Sequence, residues 1–263
     1  MSAYTALLSA QLRTLLQYRA AALAGMVTQL FFGFVIVMVY EAFYASASAP
    51  MPMSLREVTT YTWLGQAMLG LMPWYIDPEI RERIRTGGVA YELLRPADLY
   101  NMWFVCSVAR RAAPTLLRSV PIFAVAGLFL GLEPPPTAAA GLAWAAATFC
   151  ALLLSSAITT LMAITLMWTI SGEGILYIIP GIASFFSGQY LPLPLMPDWI
   201  ERLSEVLPFR GLIDIPFRLY LGHVPVEECL PLFLHQLAWI AVLVLAGRRA
   251  LARGTRRLVL QGG

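Results

Sequence analysis

The sequence predicts an all-α integral membrane protein with six spanning helices, and three observations carry that prediction. Of its 263 residues, 59% are hydrophobic and 13% charged, with a mean hydropathy of +0.70, far outside the balance of soluble domains. The apolar residues fall into six runs, each closed by charge or by Pro and Gly clusters. Most of the basic residues gather at the two termini and around one connection between those runs, the pattern that orients a membrane chain.

The runs lie at about 21–44, 59–76, 103–131, 138–168, 173–191 and 229–247. A bilayer core about 30 Å thick requires roughly 20 apolar helical residues per crossing. Backbone polar groups in hydrocarbon are satisfied within one segment only by a helix, and no run shows the alternation of a strand. The fourth run is long for one crossing and is expected to tilt or to project beyond the membrane.

All 18 basic side chains are arginine. Thirteen of them lie in 1–20, 77–111 and 248–263, whereas the connections 45–58, 132–137 and 192–228 hold only Arg56, Arg202, Arg210 and Arg218 beside eight acids. The positive-inside rule then places both termini and 77–111 in the cytoplasm, and the all-arginine set fits a GC-rich bacterial coding bias and a bacterial inner membrane. The net charge of +3 is accounted for by topology rather than by nucleic-acid binding. The 248–263 tail, with Arg248, Arg249, Arg253, Arg256 and Arg257, suits anionic lipid headgroups.

The first apolar run lacks a short core with a small-residue cleavage site, so it is expected to stay as a membrane helix. Cys106, Cys150 and Cys229 have neither disulfide nor metal-ligand spacing. No internal repeat is visible. Residues 1–20 form an amphipathic segment, with Leu8, Leu12, Leu15 and Leu16 on one face and Ser9, Gln11, Arg13 and Gln17 largely on the other, as expected of a helix lying in the interface.

The stretch "PEIRERIRTGGVAYELLRPADLY" (78–100) gathers Arg81, Arg83, Arg85 and Arg95 between two apolar runs. Asp77 can cap a helix, Pro78 suits its first position, and Glu79 and Glu82 lie near the positive end of its dipole. Glu79 can pair with Arg83, and Gly87 and Gly88 supply the stop. Ile80 and Ile84 give the helix one small apolar stripe. A second short helix, "VAYELLR", ends at Pro96. Helices this short are marginal alone and must dock, either on the membrane surface or in the groove of a soluble partner. Farther along, residues 187–222 begin inside an apolar run, break on Pro192, Pro194 and Pro197, and restart as a short amphipathic helix with Trp199, Ile200, Leu203 and Leu207. Irregular backbone at membrane depth must be buried in protein or line a cavity, so this segment reads as a re-entrant hairpin.

The Ser-Gly, proline-rich break, "MPDWIERLSEVLPF" and later "YLG" of that segment resemble the region after the fifth span in ABC transporter permeases of the type-2 exporter class. "IRTGGVAYELLRPADLY" is similar to the cytosolic loop of the branch that includes multidrug and viologen exporter permeases. The resemblance spans the chain as a single permease domain, 1–263: an interfacial helix (1–20), six spans, a cytosolic coupling loop (77–101), an external re-entrant hairpin (187–222) and a basic tail (248–263). It implies a coupling helix in which Glu79, Arg81, Glu82, Arg83 and Arg85, turned by Gly87 and Gly88, seat in a cytosolic ABC ATPase. That ATPase, with its ATP and Mg²⁺, must be a separate polypeptide, because a chain without Lys cannot carry a G-x-x-x-x-G-K-[ST] loop. The resemblance further implies a second permease, identical or similar, and a substrate path between the two. Tyr61, Trp63, Gln66, Met68 and Met72 of the second span would line it with Tyr177, Phe185, Phe186 and Gln189 of the fifth, a set suited to amphipathic or lipophilic cargo.

Ser107, Arg111, Thr115 and Arg118 form a polar stripe along the third span, read as structural pairing in preference to substrate contact, and His235 reads as a hydrogen-bonded core residue. The residues leave two alternatives. Ser187 and His235 are similar to the pair of an intramembrane serine protease, although Phe185 stands where that motif has glycine. A secondary carrier would need inverted repeats or paired acids at mid-membrane, and neither is visible.

Overall fold

The computed structural model describes residues 3–48, 50–169 and 173–258, and every regular element among them is helical. Ser2 of the N-terminal segment and 259–263 of the basic tail lie outside the described residues. In chain order the helices are α1 (Ala3–Leu15), α2 (Arg19–Ser46), α3 (Leu55–Ala67), α4 (Pro78–Arg85), α5 (Val89–Leu93), α6 (Leu99–Phe129), α7 (Ala138–Thr165), α8 (Glu173–Phe186), α9 (Asp198–Val206), α10 (Asp214–Tyr220) and α11 (Leu230–Leu258).

Among the described residues, four helices are long and apolar enough to cross a bilayer unaided: α2, α6, α7 and the stretch Val226–Arg256 containing α11. Predicted spans one, three, four and six fall on these. The run at 59–76 is not one helix. After Ala67 the chain tightens into a 3₁₀ turn, Leu69–Leu71, and then runs without helix to Asp77. Pro73 is the cause, because the residue before a proline is driven out of the helical region, and Met72 accordingly sits at φ −67°, ψ 145°. The fifth run is likewise shorter than expected, closing as α8 at Phe186 with a turn at Gly188, whose φ of +86° favours glycine.

The core is organised around α3. Ser54 caps it reciprocally with Glu57, the Glu57 amide donating to Ser54 Oγ (3.3 Å) and the Ser54 amide to Glu57 Oε2 (2.6 Å), the arrangement of a capping box. Thr60 to Ala67 are buried without interruption. Trp63 lies against Gly33 of α2 and donates Nε1 to the Leu130 carbonyl at the end of α6 (2.9 Å). The Tyr61 hydroxyl donates to the Gly188 carbonyl (3.1 Å), and its ring stands edge-on to Phe217 of α10 at 4.9 Å. Helices α9 and α10 fold the 187–222 segment back so that α10 packs on α7, and the Asp214 amide donates to the Ser187 carbonyl (3.1 Å). At the other end of the molecule, which carries most of the arginines, α1 packs along α6, with Tyr4 Oη accepting from the Asp98 amide (2.9 Å).

Candidate functional site

The arginine-rich segment forms a two-helix platform. α4 begins as its residues require: Asp77 caps it by accepting from the Glu79 amide (2.8 Å), and Pro78 takes the first position. Gly87 ends it at φ +74°, and α5 follows at once, ending just before Pro96. The inward face is fixed by charge. Asp77, 6% exposed, is paired with Arg110 of α6, and Arg110 also reaches Glu79 (3.5 Å). Arg83 bridges Glu79 (3.2 Å) and Glu92 of α5. Glu92 is 3% exposed and accepts from Trp103 Nε1 of α6 (3.0 Å). Ile80 is buried beneath this network. A small cavity of about 80 Å³ separates the platform from Leu7 and Gln11 of α1.

The outward face is different in kind. Arg81, Glu82, Arg85 and Gly87 are exposed, with Arg85 paired to Glu82 (3.1 Å), and Gly88 is half-buried at the start of α5. Beside them Tyr91 is 77% and Leu94 82% exposed, with Leu93 also turned outward. The seven residues expected to act together thus divide: Glu79 and Arg83 hold the platform to α6 and α5, while Arg81, Glu82 and Arg85 face away from the protein. Tyr91 and Leu94 were missed in the sequence. The signal available was an apolar pair beside Arg95 with no periodic partner in so short a helix.

The platform joins the membrane helices through Arg111. This side chain is buried, and its Nε donates to Ser155 Oγ of α7 (2.8 Å). Nη1 donates to the Ser107 hydroxyl (3.1 Å) and carbonyl (3.3 Å), and Nη2 to Thr159 Oγ1 and to the Tyr75 carbonyl (3.4 Å). The non-helical segment before α4 has carbonyls that no helix satisfies, and Arg111 accepts the task for one of them while tying it to α6 and α7.

The nine residues expected along a substrate path do not share one surface in this conformation. Tyr61, Trp63, Gln66, Met68 and Met72 are buried within the chain, whereas Tyr177 is 79% exposed, Phe185 is exposed and Phe186 half-buried on α8. Tyr61, Gln66 and Gln189 do meet, lining a cavity of about 20 Å³ with Tyr40 and Tyr190. Trp63 and Met72 act as packing: Trp63 fills the α2–α3 contact, and Met72 Sδ lies 4.0 Å from Ser187 Oγ. Ser187 otherwise donates to the Ser184 carbonyl (3.3 Å), and His235 Nε2 contacts the Leu207 carbonyl (3.1 Å). Ser187 and His235 therefore share no hydrogen bond and do not form a nucleophile–base pair in this conformation. No group of three or more metal-ligating side chains occurs among the described residues.

A search of curated proteins finds no match to this chain. A family model described as "ABC-2 family transporter protein" matches residues 30–262, covering the central packing of α3, the platform and the 187–222 segment together. With several apolar helices of spanning length, the chain is an integral, multi-pass membrane protein, and it belongs to the ABC-2 transporter family as a permease.

Proposed function

We propose that this chain is the permease subunit of an ATP-driven exporter, in which the α4–α5 platform receives a separate cytosolic ATPase and passes its movement to α6 and α7. The observation that carries this reading is the division of the platform into a face locked to α6 by Asp77–Arg110 and Glu92–Trp103 and an outward face of Arg81, Arg85, Tyr91 and Leu94 that is exposed among the described residues. Arginine and tyrosine at the centre of an exposed patch are the residue types that dominate binding energy at protein interfaces. A membrane surface would account for the arginines, but less well for a tyrosine and a leucine standing clear on the same face.

In this reading the arginine-rich end, with both termini, faces the cytoplasm of a bacterial inner membrane. α3, buried in the bundle, and α8, on its surface, are too short or broken to span unaided and would complete a set of six crossings. The family match supports an ATPase partner; in this reading that partner binds ATP and Mg²⁺, and the chain would work beside a second permease copy or a similar chain, moving an amphipathic or lipophilic compound outward in the manner of the multidrug and viologen branch. ATP binding would shift the pair between two arrangements. A full swing from 1:99 to 99:1 requires about 5.5 kcal/mol of preference.

The test is purification of the full chain from its native membrane in mild detergent, scoring a co-purifying polypeptide that hydrolyses ATP. Tyr91→Ala/Leu94→Ala is expected to lose that polypeptide while its thermal midpoint stays within about 1–2 °C of wild type, since exposed substitutions cost little. A wild type that brings down no ATPase would sink the reading.

A further inference from the structure

Tyr61, Gln66 and Gln189 meet at a cavity of about 20 Å³ whose wall also includes Tyr40 of α2 and Tyr190. A space of that size holds one water-sized group. Tyr40 is 8% and Gln66 5% exposed, and neither side chain makes a hydrogen bond among the described residues. Gln189 Oε1, in the same wall, is buried and also unpartnered. Buried polar groups in a native fold are hydrogen-bonded as a rule, so three exceptions around one cavity point to an occupant.

The lining fixes the chemistry of that occupant. Among the described residues no charged side chain borders the cavity, and an ion taken there would lose its water without gaining a counter-charge. The volume also excludes a substituted ammonium group, although three tyrosine rings stand around it. The occupant must both donate and accept. The Tyr40 hydroxyl and the Gln66 amide can each do either, whereas the Tyr61 hydroxyl gives its proton to the Gly188 carbonyl (3.1 Å) and is left as an acceptor. A neutral O–H group meets all three. The wall is already in place: a Cβ at Gly188 would stand 2.5 Å from Tyr61 Oη, so only glycine leaves that hydroxyl room, and the Gln189 amide rests on α3, 3.5 Å from where a Gly65 Cβ would be. Tyr190 is 61% exposed, which puts the cavity one side chain beneath the surface.

We propose that the cavity between α2, α3 and the turn after α8 binds a single neutral O–H group, the terminal hydroxyl of an uncharged amphiphile or a water held in its place. The site is enclosed within one chain, and Tyr40 and Gln66 are the residues that recognise the hydroxyl. That an amphiphile bound there is exported cargo rests on the exporter reading. Binding itself does not, and it is measured on the full chain with no ATPase present, so a failed co-purification and a failed binding experiment are separate results.

The experiment reconstitutes the full chain in phosphatidylcholine vesicles, photolabels it with an octanol carrying an alkyl diazirine, and identifies the labelled peptides by mass spectrometry. Label is expected in the peptides holding Tyr40 and Tyr190. Gln66→Leu should reduce it by about threefold or more, the scale of one neutral hydrogen bond, and Tyr40→Phe, which deletes one oxygen and keeps the ring, should reduce it in smaller measure. Unlabelled octanol should displace the probe, whereas octyltrimethylammonium and octanoate at the same concentration should not. That result identifies the hydroxyl of an amphiphile. No label, with one ordered water on Gln66 and Tyr40 in a high-resolution map of the wild type and none in Gln66→Leu, identifies a water; both outcomes support a neutral O–H site. No label and no ordered water, or a label that both variants leave at the wild-type level, overturns it. Displacement by octyltrimethylammonium or octanoate as strong as that by octanol also overturns it, since the lining offers no counter-charge. Should Gln66→Leu lower the thermal midpoint, Tyr40→Phe alone decides.

Discussion

Gly33 of α2 has no room for a side chain, because a Cβ there would meet the Trp63 ring at 2.4 Å. Gly33→Ala must push the largest buried side chain of α3 out of place and is expected to cost about 1–3 kcal/mol, the usual penalty of overpacking. Thermal unfolding in detergent reads this as a lower midpoint. A second residue-scale prediction concerns Glu57, whose Oε1 lies 2.7 Å from His223 Nε2. Partial burial pushes the Glu57 carboxyl upward, but hydrogen bonds from the Ser54 amide, from His223 and from the Ser54 hydroxyl, with the His223 charge, outweigh it and hold the group below its ordinary 4.5. Depressed in the folded state, Glu57 contributes stability that is complete above pH 4.5 and is lost as pH falls through its lower folded value. The difference in unfolding midpoint between wild type and Glu57→Gln should therefore be level at neutral pH and shrink in acid; a difference that widens in acid contradicts the pairing. At this scale the sequence was least informative. It placed Arg111 and Arg118 on one stripe, but Ser155 and Thr159, which pair with Arg111, come from α7, and nothing local distinguished the arginine with partners from the one without.

α4 was legible almost to the residue, since a capping Asp77, Pro78 at the first position and Gly87 at the end are local instructions that tertiary packing had no reason to override. The interruption between Ala67 and Asp77 was not anticipated, although Pro73 announces it. Apolar content masked the break, because Met72, Pro73, Trp74 and Ile76 keep the run hydrophobic while the backbone leaves the helix. The consequence is a carbonyl to be satisfied, and Arg111 does so at Tyr75 (3.4 Å). Arg111→Met removes that donor and also leaves the Ser107, Ser155 and Thr159 acceptors without it, so a lower thermal midpoint is expected. The effect is largest locally, where the Tyr75 carbonyl is left unsatisfied at a cost of about 1–3 kcal/mol. Amide exchange in 74–77 is thus expected to quicken by about tenfold, with α11 unchanged. Equal protection in both proteins would remove Arg111 from the joint between platform and bundle.

For the molecule as a whole, the arginine distribution and the apolar runs carried the all-helical class and the family resemblance, and the match over 30–262 agrees with that resemblance at the level of the ABC-2 family. What lay beyond reach was which faces meet. The α3 side chains expected to line a path beside a second permease lie at the centre of this chain's own packing in this conformation, and a helix that mixes Thr60, Thr62 and Gln66 with Trp63 and Leu64 shows no apolar stripe to indicate which side its own bundle covers. The platform offers the reverse case, where exposure of Tyr91 and Leu94 reveals a face the sequence could not distinguish from a lipid-facing one. The central claim, that the ATPase sits on this face, is tested most directly by site-directed cross-linking with native cysteines replaced, comparing a cysteine at Leu94 on α5 with one at Leu203 on α9 near the opposite end. Cross-linking of the ATPase to Leu94→Cys and not to Leu203→Cys, altered when ATP is trapped, is the predicted result; an ATPase that co-purifies yet cross-links only through Leu203→Cys would contradict it.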